Sequence, residues 1–252
     1  MRTILIIGIG AGDPDYLTVQ AIGALNRAGV LFIPDKGEEK ADLRRLRTEI
    51  CERYIEKPGW RTVGFEMPRR AEAGDDYLGT VDDWHARIAA GYAALVEREL
   101  PDGGCGAFLV WGDPALYDSM IRIVERIAAG GMALEWQVVP GITAVQALAA
   151  RHRVPLNRIG EPVLVTTGRR LAEGDMARDG DVVVMLDGGQ AFARIDPTGL
   201  DIYWGAYLGT PDEILISGPL AEVRDRIAET RRRAREAKGW IMDTYLLRRR
   251  AP

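Results

Sequence analysis

Short apolar runs alternate with stretches whose apolar positions recur at helical spacing, the pattern of an α/β chain. Ile4–Ile7 reads as a buried strand. Leu17, Ala21, Leu25 and Ala28 then repeat along one helix face, and Gly29 closes that helix. Val30–Ile33 predicts a second strand. Residues 36–100 are charged and expected to be mostly helical, with Leu43, Leu46 and Ile50 on one face. Gly106–Trp111 and Glu135–Val139 predict two more strands, each followed by a helix, over Ser119–Ala128 and Thr143–Arg151.

The pattern changes after Pro155-Leu156. Pro162–Thr166, Asp181–Leu186, Asp201–Tyr207, Ile214–Ile216 and Trp240–Leu247 read as strands. Between the last two, Leu220, Val223 and Ile227 mark one long helix, with Pro219 near its start and Gly239 at its stop. The expectation is two α/β domains, 1–155 and 156–252. The basic clusters Arg231–Arg233 and Arg248–Arg250 read as a solvated helix face and a frayed end.

Length and charge narrow the classes. A chain of 252 residues can bury a real core without disulfide or metal staples. The net charge of −4 leaves no overall basic field for nucleic acid. Cys51 and Cys105 form no C-x-x-C, and His85 and His152 share no ligand spacing, so no metal is expected. No apolar run approaches the roughly 18 residues needed to span a bilayer. Ile4–Ile7 is also too short for a signal peptide. With two unpaired thiols, this predicts a soluble cytoplasmic protein.

One motif recurs. Gly12-Asp13-Pro14, Gly112-Asp113-Pro114, Pro140-Gly141-Ile142-Thr143 and Gly209-Thr210-Pro211 each follow a predicted strand. Each combines a turn glycine with an Asp or Thr suited to cap a helix. In a parallel sheet such turns gather at the carboxyl edge, where open α/β sheets bind ligands. The first of them, Gly8-Ile9-Gly10-Ala11-Gly12-Asp13, is a poor dinucleotide fingerprint. Asp13 stands at the third glycine position and would face the pyrophosphate. This disfavours a dinucleotide-dependent oxidoreductase, and no Gly-Lys-Ser/Thr makes a P-loop.

Together, Gly8–Thr18, Leu109–Tyr117, Val138–Ala144 and Thr210–Leu220 resemble the tetrapyrrole methylases over nearly the whole chain. The resemblance implies S-adenosylmethionine (SAM) as methyl donor, a small-molecule tetrapyrrole substrate, and a homodimer. It also implies two α/β domains with the ligand cleft between them. Residue by residue it implies donor contacts from Ala11, Trp111, Gly112, Asp113, Leu116, Thr143, Ala144, Met185, Leu186 and Gly209. The family commonly has Pro at the Ala11 position and Met at the Leu186 position. A narrower resemblance rests on Pro34-Asp35-Lys36-Gly37, Asp42-Leu43…Arg47, Pro68-Arg69 and Tyr77…Val81…Trp84-His85…Arg87. It points to the branch that methylates C-1 of precorrin-5 in cobalamin synthesis and releases the acetyl group there as acetate.

That chemistry sets two demands. Methyl transfer needs carbon and methyl held about 3–3.5 Å apart and aligned, which backbone loops can achieve. Trp111 and Tyr117 are candidate cation–π neighbours of the sulfonium. Deacetylation needs a general base, for which Asp13, Asp113 and Tyr117 are the candidates; Asp113 could equally be a helix cap. An acidic protein binding a polycarboxylate needs local cations, and Arg69, Arg70, Arg169 and Arg170 are the candidates. Rival readings are another methylase of the same family, a relative acting on RNA or on modified histidine, and a non-catalytic tetrapyrrole-binding protein.

Overall fold

The structure is a computed structural model that describes residues 1–35, 41–66, 77–174 and 180–250. The chain forms two compact units, residues 1–10 with 14–142, and residues 11–13 with 143–252.

The first unit is a parallel sheet of order β3-β2-β4-β1-β5, with β1 at Arg2–Gly8, β2 at Val30–Asp35, β3 at Arg61–Glu66, β4 at Cys105–Val110 and β5 at Leu134–Val139. Strand alternation sorts the side chains between its two faces. Ile4, Ile6, Phe32, Phe108 and Val110 face one core with Ile88, Tyr92, Val96, Ile123 and Val124. Those partners come from helices α3 (Tyr77–Glu99) and α4 (Met120–Ala129). Leu5, Ile7, Leu31, Ala107 and Leu109 face the other core with Ala21, Leu25, Ile50 and Cys51, from α1 (Val19–Leu25) and α2 (Ala41–Tyr54). Apolar residues on both faces are what a doubly covered parallel sheet requires.

The described part of 36–100 is mostly helical, as expected, but it also holds the strand β3, which the sequence reading missed. The strand, Arg-Thr-Val-Gly-Phe-Glu, carries only three strand formers, and it pairs with β2 alone at the sheet edge. An edge strand tolerates charged ends, which is why its apolar signal is weak.

The second unit holds a mixed sheet of order β6-β7-β10-β8-β9. Its strands are β6 (Val163–Thr167), β7 (Asp181–Met185), β8 (Leu200–Ala206), β9 (Ile214–Pro219) and β10 (Asp243–Arg249). β6 and β7 are parallel; β10 lies between β7 and β8 and runs against both. Hence β6, β7 and β8 point the same way, and Met185 and Gly205 both lie opposite Thr244. Helix α5 (Ala144–His152) packs against β8, β9 and β10 of this sheet. The division therefore falls before α5, at Thr143, whereas the sequence reading places it near 155.

One arginine of each basic cluster is built in, while Arg232, Arg233, Arg249 and Arg250 stay exposed. Arg231, on α7 (Leu220–Lys238), is buried against Asp243 at 2.9 Å. Arg248 lies within β10 and pairs with the fully buried Asp181 at 2.7 Å, and the Arg250 amide donates to the Gly199 carbonyl. Arg232 keeps the expected surface role, pairing with Glu229 and Glu236 along α7. Among the described residues no helix is long and apolar enough to cross a membrane.

Candidate functional site

In the first unit, three loops at the carboxyl edge of the sheet are sewn together by their backbones. Gly10 and Gly112 exchange hydrogen bonds, Gly112 N–H to Gly10 O at 2.8 Å and Gly10 N–H to Gly112 O at 3.3 Å. Both sit at positive φ, +81° and +69°, where glycine carries no penalty. The loop after β5 closes on the same point. A Cβ on Gly8 would lie 2.6 Å from the Gly141 nitrogen, and one on Gly141 would overlap the Gly112 carbonyl oxygen.

Asp113 completes the seam. Its Oδ2 accepts the Gly141 amide at 2.9 Å, and its Oδ1 accepts the Ala115 amide at 2.8 Å. It caps no helix: α4 begins at Met120, behind Ser119, and the Asp113 carboxylate forms a local turn and a loop-to-loop tie. The corresponding expectation of a capped strand-to-helix turn holds at Thr143; after Gly12-Asp13-Pro14 comes a 3-10 turn over Pro14–Tyr16, and the helix beyond it, α1, is capped by Thr18 rather than Asp13. Thr143 caps α5 through a reciprocal pair with Gln146. At Gly209-Thr210-Pro211 no helix follows, because the segment joins the antiparallel strands β8 and β9. There Thr210 turns back on the Tyr207 carbonyl, and the Gly209 amide donates to Glu213 at 2.9 Å.

The loop after β4 also presents Tyr117 with 45% of its surface exposed and φ at +52°, a conformation that costs a non-glycine residue about 1–2 kcal/mol. Trp111 and Leu116 are half-buried beside it in sequence. Beneath this loop sits a buried cation. Arg47 of α2 donates to the Leu109 carbonyl at 3.3 Å and to the Leu43 carbonyl at 3.0 Å. β2 pairs with β4 only as far as Phe32 and Phe108, so Arg47 satisfies a carbonyl that the diverging strands leave open. Burial lowers its pKa from the ordinary arginine value, with Asp118 opposing.

In the second unit, β6, β7 and β8 end along one edge with Thr167-Gly168, Met185-Leu186 and Tyr207–Gly209. Leu186 is 65% exposed with φ at +54°, and Tyr207 is buried with φ at +51°. The Tyr207 hydroxyl donates to the Trp240 carbonyl at 2.6 Å, and burial pushes its pKa up to about 12, which keeps that donor protonated. Arg169 and Arg170 lie in the short helix α6 (Gly168–Ala172), mostly exposed and paired with Glu173. Residues 11–13 belong here: a Cβ on Gly12 would overlap the Leu208 carbonyl oxygen, so the Ala11–Asp13 turn packs on the Tyr207–Thr210 turn.

Of the expected donor residues, Trp111, Gly112, Asp113 and Leu116 fall in the first unit, and Ala11, Thr143, Ala144, Met185, Leu186 and Gly209 in the second. Arg69 and Arg70 lie outside the described residues. Sequence reasoning missed Gly8 as a packing partner of Gly141 and missed Asp187, Arg231 and Tyr245 behind Leu186. An acid directly after the run Val182–Leu186 is the one signal that could have flagged Asp187.

A groove of about 640 Å³ lined by Ala86, Ala89, Ala93, Arg126 and Met132 lies between α3 and α4. Arg2 and Ala133 place it by the strands' amino ends, away from the glycine loops. Burial pushes the Cys51 thiol up to about 12, so it supplies no thiolate at neutral pH. No cluster of three or more metal-ligating side chains occurs among the described residues.

Comparison with known proteins agrees with this architecture. The sequence profile of the tetrapyrrole (corrin/porphyrin) methylases matches residues 3–224. A Sinorhizobium protein named precorrin-6A synthase [deacetylating] is 59% identical over 252 residues, covering 100% of this chain and 97% of that protein. The crystal structure of a putative cobalamin synthesis related protein (CobF) from Corynebacterium diphtheriae superposes with a TM-score of 0.85 at 41% identity, covering 100% of both chains. A uroporphyrin-III C-methyl transferase from Thermus thermophilus, solved with S-adenosyl homocysteine, shares the fold at a TM-score of 0.61 and 20% identity, over 97% and 96% of the chains. The chain belongs to the tetrapyrrole (corrin/porphyrin) methylases.

Proposed function

We propose that this chain is a precorrin-6A synthase (deacetylating): it methylates C-1 of precorrin-5 from SAM and releases the ring's acetyl group as acetate. The observation that carries the reading is the full-length 59% identity to the Sinorhizobium enzyme of that name. The segment from residue 36 to 100, whose motifs set this branch apart, lies inside that match.

The residues present suit SAM. Its adenine and thioether chain need apolar surface, which exposed Leu186 and Tyr117 offer. Its sulfonium favours carbonyls and aromatic faces, which glycine turns and Trp111 can supply. SAM brings an electrophilic methyl whose transfer leaves S-adenosylhomocysteine. The chain's part is to hold loop backbone still. The Gly8–Gly112–Gly141 seam fixes Trp111 to Leu116, and the Thr143 cap fixes Ala144.

For deacetylation, water adds through oxygen to the acetyl carbonyl carbon. The bond from that carbon to C-1 then breaks, and its electron pair stays on the ring to take the methyl. A protein group must accept the water's proton. Asp113 has both carboxylate oxygens engaged by backbone donors, so we assign it to loop positioning. Tyr117 and Asp13 are then the base candidates. Arg169 and Arg170 are assigned to substrate carboxylates, with Arg69 and Arg70 as further candidates. By likeness to the family we place the enzyme in the cytoplasm as a homodimer.

A thermal-shift comparison tests the donor. A ligand at 100 Kd adds about 2.7 kcal/mol to stability. SAM or S-adenosylhomocysteine should raise the melting temperature and NADPH should not; the reverse result rejects the reading.

A further inference from the structure

Behind Leu186 lies a buried polar network that the chemistry above does not use. Asp187 is 3% exposed, and its Oδ2 accepts the Tyr245 hydroxyl at 2.7 Å and the Ala191 amide at 2.7 Å. Its Oδ1 packs against Gly168 so closely that a Cβ there would overlap it. Its backbone carbonyl accepts Arg231 Nη2 at 3.1 Å. Arg231 is held in turn by Asp243, whose Oδ2 also accepts Trp204 Nε1 at 3.0 Å. Burial drives the Tyr245 hydroxyl well above its ordinary pKa, so it remains a donor, and burial likewise raises the Asp243 carboxyl.

A network of this kind costs several kcal/mol of desolvation per ion before its bonds offset any of it. Its location suggests what it does. Tyr207 holds its own positive φ through a buried side chain bonded to Trp240. Leu186 adopts the same conformation with its side chain largely in solvent, so its own packing offers little hold. The restraint must come from its neighbour. Asp187, the residue after Leu186, is itself tied to β10 through Tyr245, to α7 through Arg231, and to the β6–α6 turn through Gly168.

We infer that Asp187 is a positioning residue: with Tyr245 and Arg231 it locks Leu186 in its left-handed turn, and thereby presents Leu186 and the neighbouring Gly168-Arg169 turn to the methyl donor and substrate. This rests on the reading of Leu186 as a donor contact.

The test is titration calorimetry of the full chain with S-adenosylhomocysteine, for Tyr245→Phe, Leu186→Ala and the double variant. Tyr245→Phe should weaken binding roughly tenfold, since displacing a positioned contact by a fraction of an ångström is costly. The effects of the two single variants should not add, because Tyr245 acts through the Leu186 turn. Additive effects, or an affinity for Tyr245→Phe within about twofold of the unmodified chain despite a lower melting temperature, would overturn the proposal and leave the network purely structural. Should Tyr245→Phe fail to fold, Gly168→Ala presses on Asp187 from the opposite side and is read by the same affinity. If the unmodified chain itself binds no S-adenosylhomocysteine, the donor reading fails instead, and the two failures stay distinct.

Discussion

The Asp113 carboxylate accepts the Gly141 amide at 2.9 Å, tying the loop after β4 to the loop after β5 across 28 residues of sequence. The second oxygen is occupied by the Ala115 amide. Asparagine can accept only through one oxygen, so Asp113→Asn must leave one of these two N–H groups facing an amide NH₂. The expected cost is about 1–3 kcal/mol, with a lower melting temperature and slower methyl transfer. Acetate release and methylation should fall together, because the variant disturbs the loops rather than one chemical step. Loss of acetate release with methyl transfer retained would restore Asp113 as the base.

Gly141→Ala and Gly91→Ala should move stability in opposite directions. A Cβ at 141 overlaps the Gly112 carbonyl oxygen, so loops must separate, at about 1–3 kcal/mol or more. Gly91 lies inside α3 with nothing near its Cβ position, and alanine there should stabilise by roughly 0.5–1 kcal/mol. Urea unfolding of both variants checks the pair.

The strands were largely legible in the sequence, because a strand buried on both faces writes itself as a short continuous apolar run. Ile4–Ile7 and Val182–Val184 are examples, and both are fully buried. The turn glycines were legible for the same local reason. What failed was non-local. The strand β3 is made by its pairing with β2, not by its own composition. Arg231 and Arg248 look like solvent charges until tertiary packing brings Asp243 and Asp181 to them. Asp113 reads as a cap from spacing alone, and only the fold brings Gly141 within reach of it.

His152 predicts an acid-side loss of stability. Its Nε2 lies 3.0 Å from the Trp204 carbonyl, and burial lowers its pKa from the ordinary histidine value. His85 is lowered too, by burial and by Arg126 and Arg122. A lowered pKa means the unfolded chain binds more protons, so stability rises with pH across the window between the folded and unfolded values. Melting temperatures should therefore fall as pH drops below about 6.5, and His152→Gln should flatten that slope. An unchanged slope in the variant would assign the effect elsewhere.

Arg169 and Arg170 carry the substrate prediction. Their pairs with Glu173 are exposed, and such pairs contribute about 0–1 kcal/mol. Replacing both by alanine should leave the melting temperature nearly unchanged and raise KM for precorrin-5 roughly tenfold, the equivalent of one charged hydrogen bond. Steady-state kinetics with each substrate varied separates this from a loss of SAM binding, which should stay unaltered.

The most direct test of the whole account is to incubate the purified chain with precorrin-5 and SAM and weigh the products by mass spectrometry. The account predicts a ring that has gained one methyl and lost its acetyl group, with acetate and S-adenosylhomocysteine in equal amounts. A methylated ring that keeps its acetyl group, or an untouched ring beside intact SAM, would contradict it.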